Sequence, residues 1–318
     1  MRSYMLKKTA VSVACSLVVI FVASAASALP MGTSARSVVP ADVQQIISVD
    51  YRTMHNSPTA MALRNRVLPE ELKRFEESLK SAGIDPDRDL DQLTFVSFRV
   101  PKQGIRIVGV GQGPFPVKAF LKRMTKEKIR PTKLRTAEIY PMGGMQMTFL
   151  DEGTILFGES AALKNALDTK DGLGARLDSN PQISDMMTSV DSNPIWSVLD
   201  QQGTQNMMRS ALGDAAKLGD YETVKKRLLG SRYGMDFGSG VDFNMDVVTS
   251  DSITAATLSA LMKAGVTYKK MTATPIEKSA LENVTVSSDS SNLTLKFKTD
   301  EKKFQSLIQS DLFMTVAR

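Results

Sequence analysis

Apolar and polar positions along the chain alternate between two periods, and the switches mark its elements. A run with alternating character, "VQQIISVDYRT", reads as a first strand over Val43–Tyr51. Ser57 followed by Pro58 starts a helix, the serine as cap and the proline in the first turn. Leu68, Leu72, Phe75, Leu79 and Ala82 then recur at helical spacing until Gly83. The strings "LTFVSFRV" and "GIRIVGV" form a β pair about the turn Pro101–Gly104. A helix follows Pro116, apolar at Val117, Phe120, Leu121 and Met124. Strands are predicted at "AEIYPM", "MQMTFL" and "TILFG", and a short helix runs from Ser160 to Leu167.

A Gly/Asp/Ser/Asn-rich stretch centred on Asp171–Pro181 divides the chain, and the order then resumes. "PIWSVLD" is a strand, "TQNMMRSALGDAAKL" is helical, and a hairpin turns about Gly238-Ser239-Gly240. The helix from Ser252 to Ala264 carries Ile253, Ala256, Thr257, Ala260 and Ala264 on one stripe, the side expected to be buried. A second hairpin alternates Leu293, Leu295 and Phe297 with Thr294, Lys296 and Lys298. A last helix has Phe304, Leu307 and Ile308 on one face. Helices falling between antiparallel strand pairs predict an α+β fold. The repeated order predicts two similar halves, 29–170 and 193–318 with 171–192 as linker. Each would be an antiparallel sheet with helices on one face, in the split βαβ, ferredoxin-like order.

The N-terminal residues bear on compartment. Arg2, Lys7 and Lys8 precede a mostly apolar run that ends in Ala26-Ser27-Ala28, the pattern of a secretory signal peptide spanning residues 1–28. Cleavage leaves Leu29 first and places the protein in the periplasm or outside the cell. Left uncleaved, residues 9–28 would anchor it in the inner membrane. The single cysteine, Cys15, lies in this segment, so a processed chain has no thiol for disulfides, metal thiolates or nucleophilic attack. Without the three leading cations, 37 basic residues face 34 acidic ones. That near balance gives no global argument for nucleic acid.

The stretch "GIRIVGVGQGPFPVKAFLKRM" looks like a phosphate cradle, a strand breaking into glycines ahead of a helix. A dinucleotide fingerprint needs G-x-G-x-x-G with an acid about twenty residues on. Here Pro114 and Pro116 remove donors, and the downstream region is the basic "KIRPTKLR". Gly109, Gly111 and Gly113 therefore read as a structural junction, and no nucleotide is expected. Lys118, Lys122, Arg123, Lys126, Lys128, Arg130, Lys133 and Arg135, with Glu127 as the one acid among them, read as a solvated face or as a patch for an anionic partner. No aromatic residues interleave with the run after Phe120, so nucleic acid is not its expected partner.

Asp85, Asp87, Asp89 and Asp91 are candidate calcium ligands. Leu90 and Val96 stand where the EF-hand loop has Gly and Glu, so a turn with capping aspartates fits better. Met142, Met145 and Met147 could offer thioethers to copper(I), or fill a core. His55 is the sole histidine and lies in a loop. No G-x-S-x-G elbow is present, which leaves a carboxylate pair as the remaining route to hydrolysis.

"GIDPDRDLDQLTFVSF", "GVGQGPFPVKAFLKRM" and "ILFGESAALKNALD" resemble a pattern in uncharacterised exported bacterial envelope proteins, together with Pro40-Ala41-Asp42 ahead of the first strand. The resemblance covers residues 40–170, with an echo in 193–310. It implies the fold and the compartment and brings no catalytic residues. The expectation is an exported, non-catalytic envelope protein, without cofactor, that binds a protein or an anionic envelope component. An exported carboxylate-dependent hydrolase and a methionine-based copper-binding protein are the alternatives.

Overall fold

A computed structural model describes residues 30–67, 70–213, 216 and 221–309. Residues 1–28, the predicted signal segment with Cys15, and Leu68 of the first helical stripe lie outside the described residues.

The fold is α+β, built among the described residues on one sheet of twelve strands. In chain order these are β1 (Val43–Asp50), β2 (Gln92–Val100), β3 (Gly104–Gln112), β4 (Thr132–Leu134), β5 (Ala137–Met142) and β6 (Met145–Asp151). They continue with β7 (Thr154–Gly158), β8 (Ile195–Leu199), β9 (Leu228–Asp236), β10 (Val241–Thr249), β11 (Val284–Asp289) and β12 (Asn292–Thr299). Across the sheet they lie in the order β11-β12-β10-β9-β8-β1-β2-β3-β7-β6-β5-β4. Every neighbouring pair is antiparallel.

Three expectations change. The two predicted halves do not carry separate sheets, because β1 pairs with β8, Ile46 opposite Val198 and Ile47 opposite Ser197. The split βαβ order needs a parallel pair divided by a third strand, whereas β1 pairs directly and antiparallel with β2. Nor are the helices confined to one face. Alternation along β2 sends Val96 and Phe98 to one core and Leu93 and Phe95 to another. The first core is closed by helices Ser160–Lys170 and Pro181–Thr188, and the second by helices Glu70–Ser81 and Val117–Lys126.

The 171–192 stretch is more than a connection. Asn180 caps Pro181–Thr188, its side chain accepting from the Ile183 amide at 3.2 Å, and Leu177, Ile183, Met186 and Met187 are buried in the first core.

On the second core's side, β10 and β12 present Met245, Val247 and Leu293 to helices Gln201–Leu212 and Ser252–Thr272. Aspartates cap both helices: Asp200 accepts from the Gly203 amide at 2.7 Å, and Asp251 from the Thr254 amide at 2.8 Å. The predicted stripe of the second helix is reversed. Ala255, Leu258, Leu261 and Met262 are buried, while Ile253, Ala256, Thr257, Ala260 and Ala264 face solvent.

The glycine junction has a packing cause. A Cβ on Gly109 would sit 1.9 Å from Cζ of Phe157 on the neighbouring β7, and Phe157 is stacked on Phe75 at 3.5 Å between ring centroids. A Cβ on Gly113 would meet the Asp89 carbonyl at 2.2 Å. Replacing Gly109 by Ala should therefore cost about 1–3 kcal/mol, the usual penalty of overpacking. A urea titration should show a lower midpoint with an unchanged slope; an unchanged midpoint would mean that the Phe75–Phe157 stack shifts without cost.

Candidate functional site

Charge clusters are the candidates the sequence offers, and each has a defined place in the fold. Lys118, Lys122, Arg123, Lys126, Lys128, Arg130, Lys133 and Arg135 are all exposed, on and after helix Val117–Lys126, whose Phe120 and Met124 point inward. Two of the eight are paired with acids among the described residues. Arg123 Nε donates to Glu127 Oε1 at 2.8 Å, and Arg135 Nε donates to Asp168 Oδ1 at 2.7 Å. The Asp168 bond raises the Arg135 pKa above its ordinary value.

Of the four aspartates at 85–91, Asp85 and Asp89 serve the turn, while Asp87 and Asp91 reach side chains on neighbouring helices. Asp85 accepts from the Asp87 amide and Asp89 from the Asp85 amide, with Arg88 Nε also donating to Asp89 at 2.7 Å. Asp91 accepts from Arg52 Nε at 3.0 Å. No group of three or more His, Cys, Asp or Glu side chains converges as a metal cage among the described residues.

His55 reaches Asp87 across 3.7 Å, and Asp87 in turn faces Arg64 at 3.5 Å. Arg64 is paired with Glu76, which also accepts from the Tyr51 hydroxyl at 2.8 Å, and the Arg64 guanidinium lies 4.8 Å from the Tyr51 ring centroid. Burial raises the Tyr51 pKa above its ordinary value. This network ties helices Tyr51–His55, Pro58–Val67 and Glu70–Ser81 together. Met142 and Met147 are buried in the second core, which gives both a packing role.

What the sequence does not announce is a window on the sheet. Gln45 and Ile47 of β1, Phe95 and Ser97 of β2, Ile105, Ile107 and Gly109 of β3, Met145 and Phe157 line an open groove of about 600 Å³. Its lining is made of strand and strand-end residues; no helical residue takes part. Ile105 is 43% exposed and Ile107 56%, large values for isoleucines in the interior of a twelve-stranded sheet. Phe157 bounds the groove beneath Phe75 of helix Glu70–Ser81. On the β1 side lies helix Gln201–Leu212, where Gly203 packs on the Gln44 carbonyl.

A cation stands on the same face. Arg99 lies directly opposite Ile105 in the register of β2 and β3. Its Nη1 donates to Asp200 Oδ2 at 2.8 Å, while its buried Nη2 has no partner among the described residues. The sequence signal lies in Ile105 and Ile107, which alternate with Arg106 and Val108. On pattern alone, that alternation is indistinguishable from an ordinary buried strand.

No family model matches the chain, and no curated protein matches it. Among solved structures it is similar to TP0453. Crystal form III of that protein aligns at 10% identity and a TM-score of 0.50, over 89% of this chain and 98% of that one. Crystal form I gives 10% identity and 0.47 over 89% and 97%, and crystal form IV 11% and 0.45 over 90% and 98%. The likeness bears on the fold alone.

Proposed function

We propose that the protein is a non-catalytic binding protein that takes the apolar chain of an anionic amphiphile into the window over β1, β2 and β3. The observation that carries this reading is the uncovered apolar sheet surface at Ile47, Phe95, Ile105, Ile107 and Met145. Contiguous exposed apolar surface of this kind is costly in water and characteristic of binding sites. Arg99 and Arg106 support an anionic head: Arg99 faces the same side as Ile105, Arg106 lines the groove, and Arg99 Nη2 and Arg106 Nε both lack a partner among the described residues. An envelope location after export belongs to the same proposal, supported by the charge, apolar run and small-residue ending of residues 1–28. So does an internal repeat: outward from the centre, β1-β2-β3-β7-β6 matches β8-β9-β10-β12-β11 in position and in chain connection.

A second reading rests on the basic helix. Lys118, Lys122 and Lys126 are exposed, and no ion pair ties up any of the three among the described residues, which supports a contact with an anionic partner on that side.

A fluorescent long-chain fatty acid tests the window. Wild-type protein should bind it, and Ile107→Asp should weaken binding about tenfold or more, the loss of one buried isoleucine contact. Arg99→Gln should weaken the acid while leaving the alcohol of equal chain length nearly unchanged. Failure of the wild type to bind either probe, or full affinity in Ile107→Asp, would end this reading. For the basic helix, the triple variant Lys118→Glu, Lys122→Glu and Lys126→Glu should leave a polyanion column at lower salt than the wild type. Coincident elution would remove the helix as an anion contact.

A further inference from the structure

Helix Ser252–Thr272 is apolar on two sides. Its inner arc, with Ala255, Leu258, Leu261 and Met262, packs on β10, β11 and β12 and meets helices Gln201–Leu212 and Tyr221–Lys225. The opposite arc holds Ile253, Ala256, Thr257, Ala260, Ala264, Tyr268 and Met271, all exposed. Ile253 is 74% exposed, Tyr268 53% and Met271 76%. At 100° per residue these positions fall within an arc of about 120° that no charged side chain enters. Lys263, Lys269 and Lys270 lie outside that arc, so the helix has two apolar arcs, and the outer one lacks a partner among the described residues.

The strand beneath it is unfinished in the same way. The helix lies mainly over β11, the last strand of the sheet, which pairs with β12 alone among the described strands. Natural edge strands are blunted by lysine, proline, bulges or brevity. β11 is "VTVSSD", six residues with no Lys, Arg or Pro and an unbroken register with β12. The far edge, β4, has the ordinary protection: three residues, with Pro131 before them and Lys133 among them.

Strand and helix thus stop at one boundary, each lacking a neighbour of its own kind. We infer that this boundary is a two-fold interface with a second copy of the chain, β11 pairing antiparallel with its mate and helix Ser252–Thr272 packing on its mate in the layer above. A two-fold axis normal to the sheet keeps both helices on the same face and makes both contacts at once. The side chains suit an antiparallel seam. Small residues, Ala256, Ala260 and Ala264, let two helices approach closely near the axis, and Ile253 of one copy falls on the side of Tyr268 and Met271 of the other.

The size is also adequate. A 21-residue helix is about 31 Å long, and helix plus strand layers are roughly 15–20 Å deep. Such a seam buries on the order of 1,000 Å² in total, about where specific interfaces begin. A lone peptide would satisfy the strand alone, and a lipid surface the helix alone.

Light scattering on the mature chain at roughly 100 μM, above the micromolar range expected for so small an interface, reads the state directly. The wild type should have the mass of a dimer that dissociates on dilution. Ala260→Glu in the helix seam and Ser287→Lys in the strand edge, both at exposed positions, should each give a monomer with an unchanged circular dichroism spectrum. A monomeric wild type overturns the proposal, and so does a dimer that survives either substitution. A monomer that sediments with anionic vesicles and loses this in Ile253→Asp overturns it in favour of a lipid surface. None of these outcomes depends on the window, which lies on β1 to β3.

Discussion

The antiparallel pairing of β1 with β8 is the contact on which the rest of the architecture depends. It joins strands far apart in the chain through Ile46 and Val198, both fully buried, and makes one twelve-stranded sheet of two blocks. Contacts of such sequence separation carry a loop-closure cost that local hairpins avoid. That cost is offset where apolar side chains are buried at the join, and the first core gathers there: Ile46, Trp196 and Val198 meet Val96, Phe98 and the helices on that face. The buried connection through Leu177, Ile183, Met186 and Met187 then follows, because the chain between the blocks must cross this core to bring β8 beside β1.

The same join leaves the window. On the opposite face, one helical layer is anchored over β5, β6 and β7 by Phe75, Phe120 and Tyr140, and the other over β8 to β12 by Met208, Leu258 and Leu261. Each layer is held by its own block. Neither reaches across Ile105 and Ile107, so the surface between them remains bare sheet. A groove formed this way is preorganised, because its floor is backbone-paired strand on both sides. The flanking network of Tyr51, Arg64 and Glu76 further fixes the helices at its margin.

Local structure is legible in the sequence where period and capping chemistry agree. Ser57-Pro58, Gly83, the turn Pro101–Gly104 and the hairpin at Gly238-Ser239-Gly240 punctuate the elements much as the structure has them. The long-range features are not legible. No property of β1 alone names β8 as its partner, and alternating strands in two similar blocks are equally compatible with two sheets. Helix Ser252–Thr272 departs from expectation for a different reason. Alanine and threonine count as apolar on either side, so the period gives two stripes, and the larger side chains Leu258, Leu261 and Met262 decide which one is buried. The window is hidden because alternation reports that a strand face is apolar, whereas cover depends on where helices from elsewhere in the chain are anchored.

One asymmetry ties these surfaces together. On the face opposite the helices, the outer block of the sheet is chemically complete. Arg232 and Thr294 both donate to Asp246 between their strands, and Lys298 donates to Asp242. Cross-strand polar pairs of this sort let an antiparallel sheet face water on one side. Two clusters of exposed large apolar side chains lie on the other face, Ile105 and Ile107 at the centre and Ile253, Tyr268 and Met271 on the helix over β11. The centre is an open groove floored by β1, β2 and β3 within one molecule. The boundary is an unpaired strand edge beneath an exposed apolar helix arc. Their geometries differ because one arises from a gap within the fold and the other from its termination, and chemistry at either can change without disturbing the other.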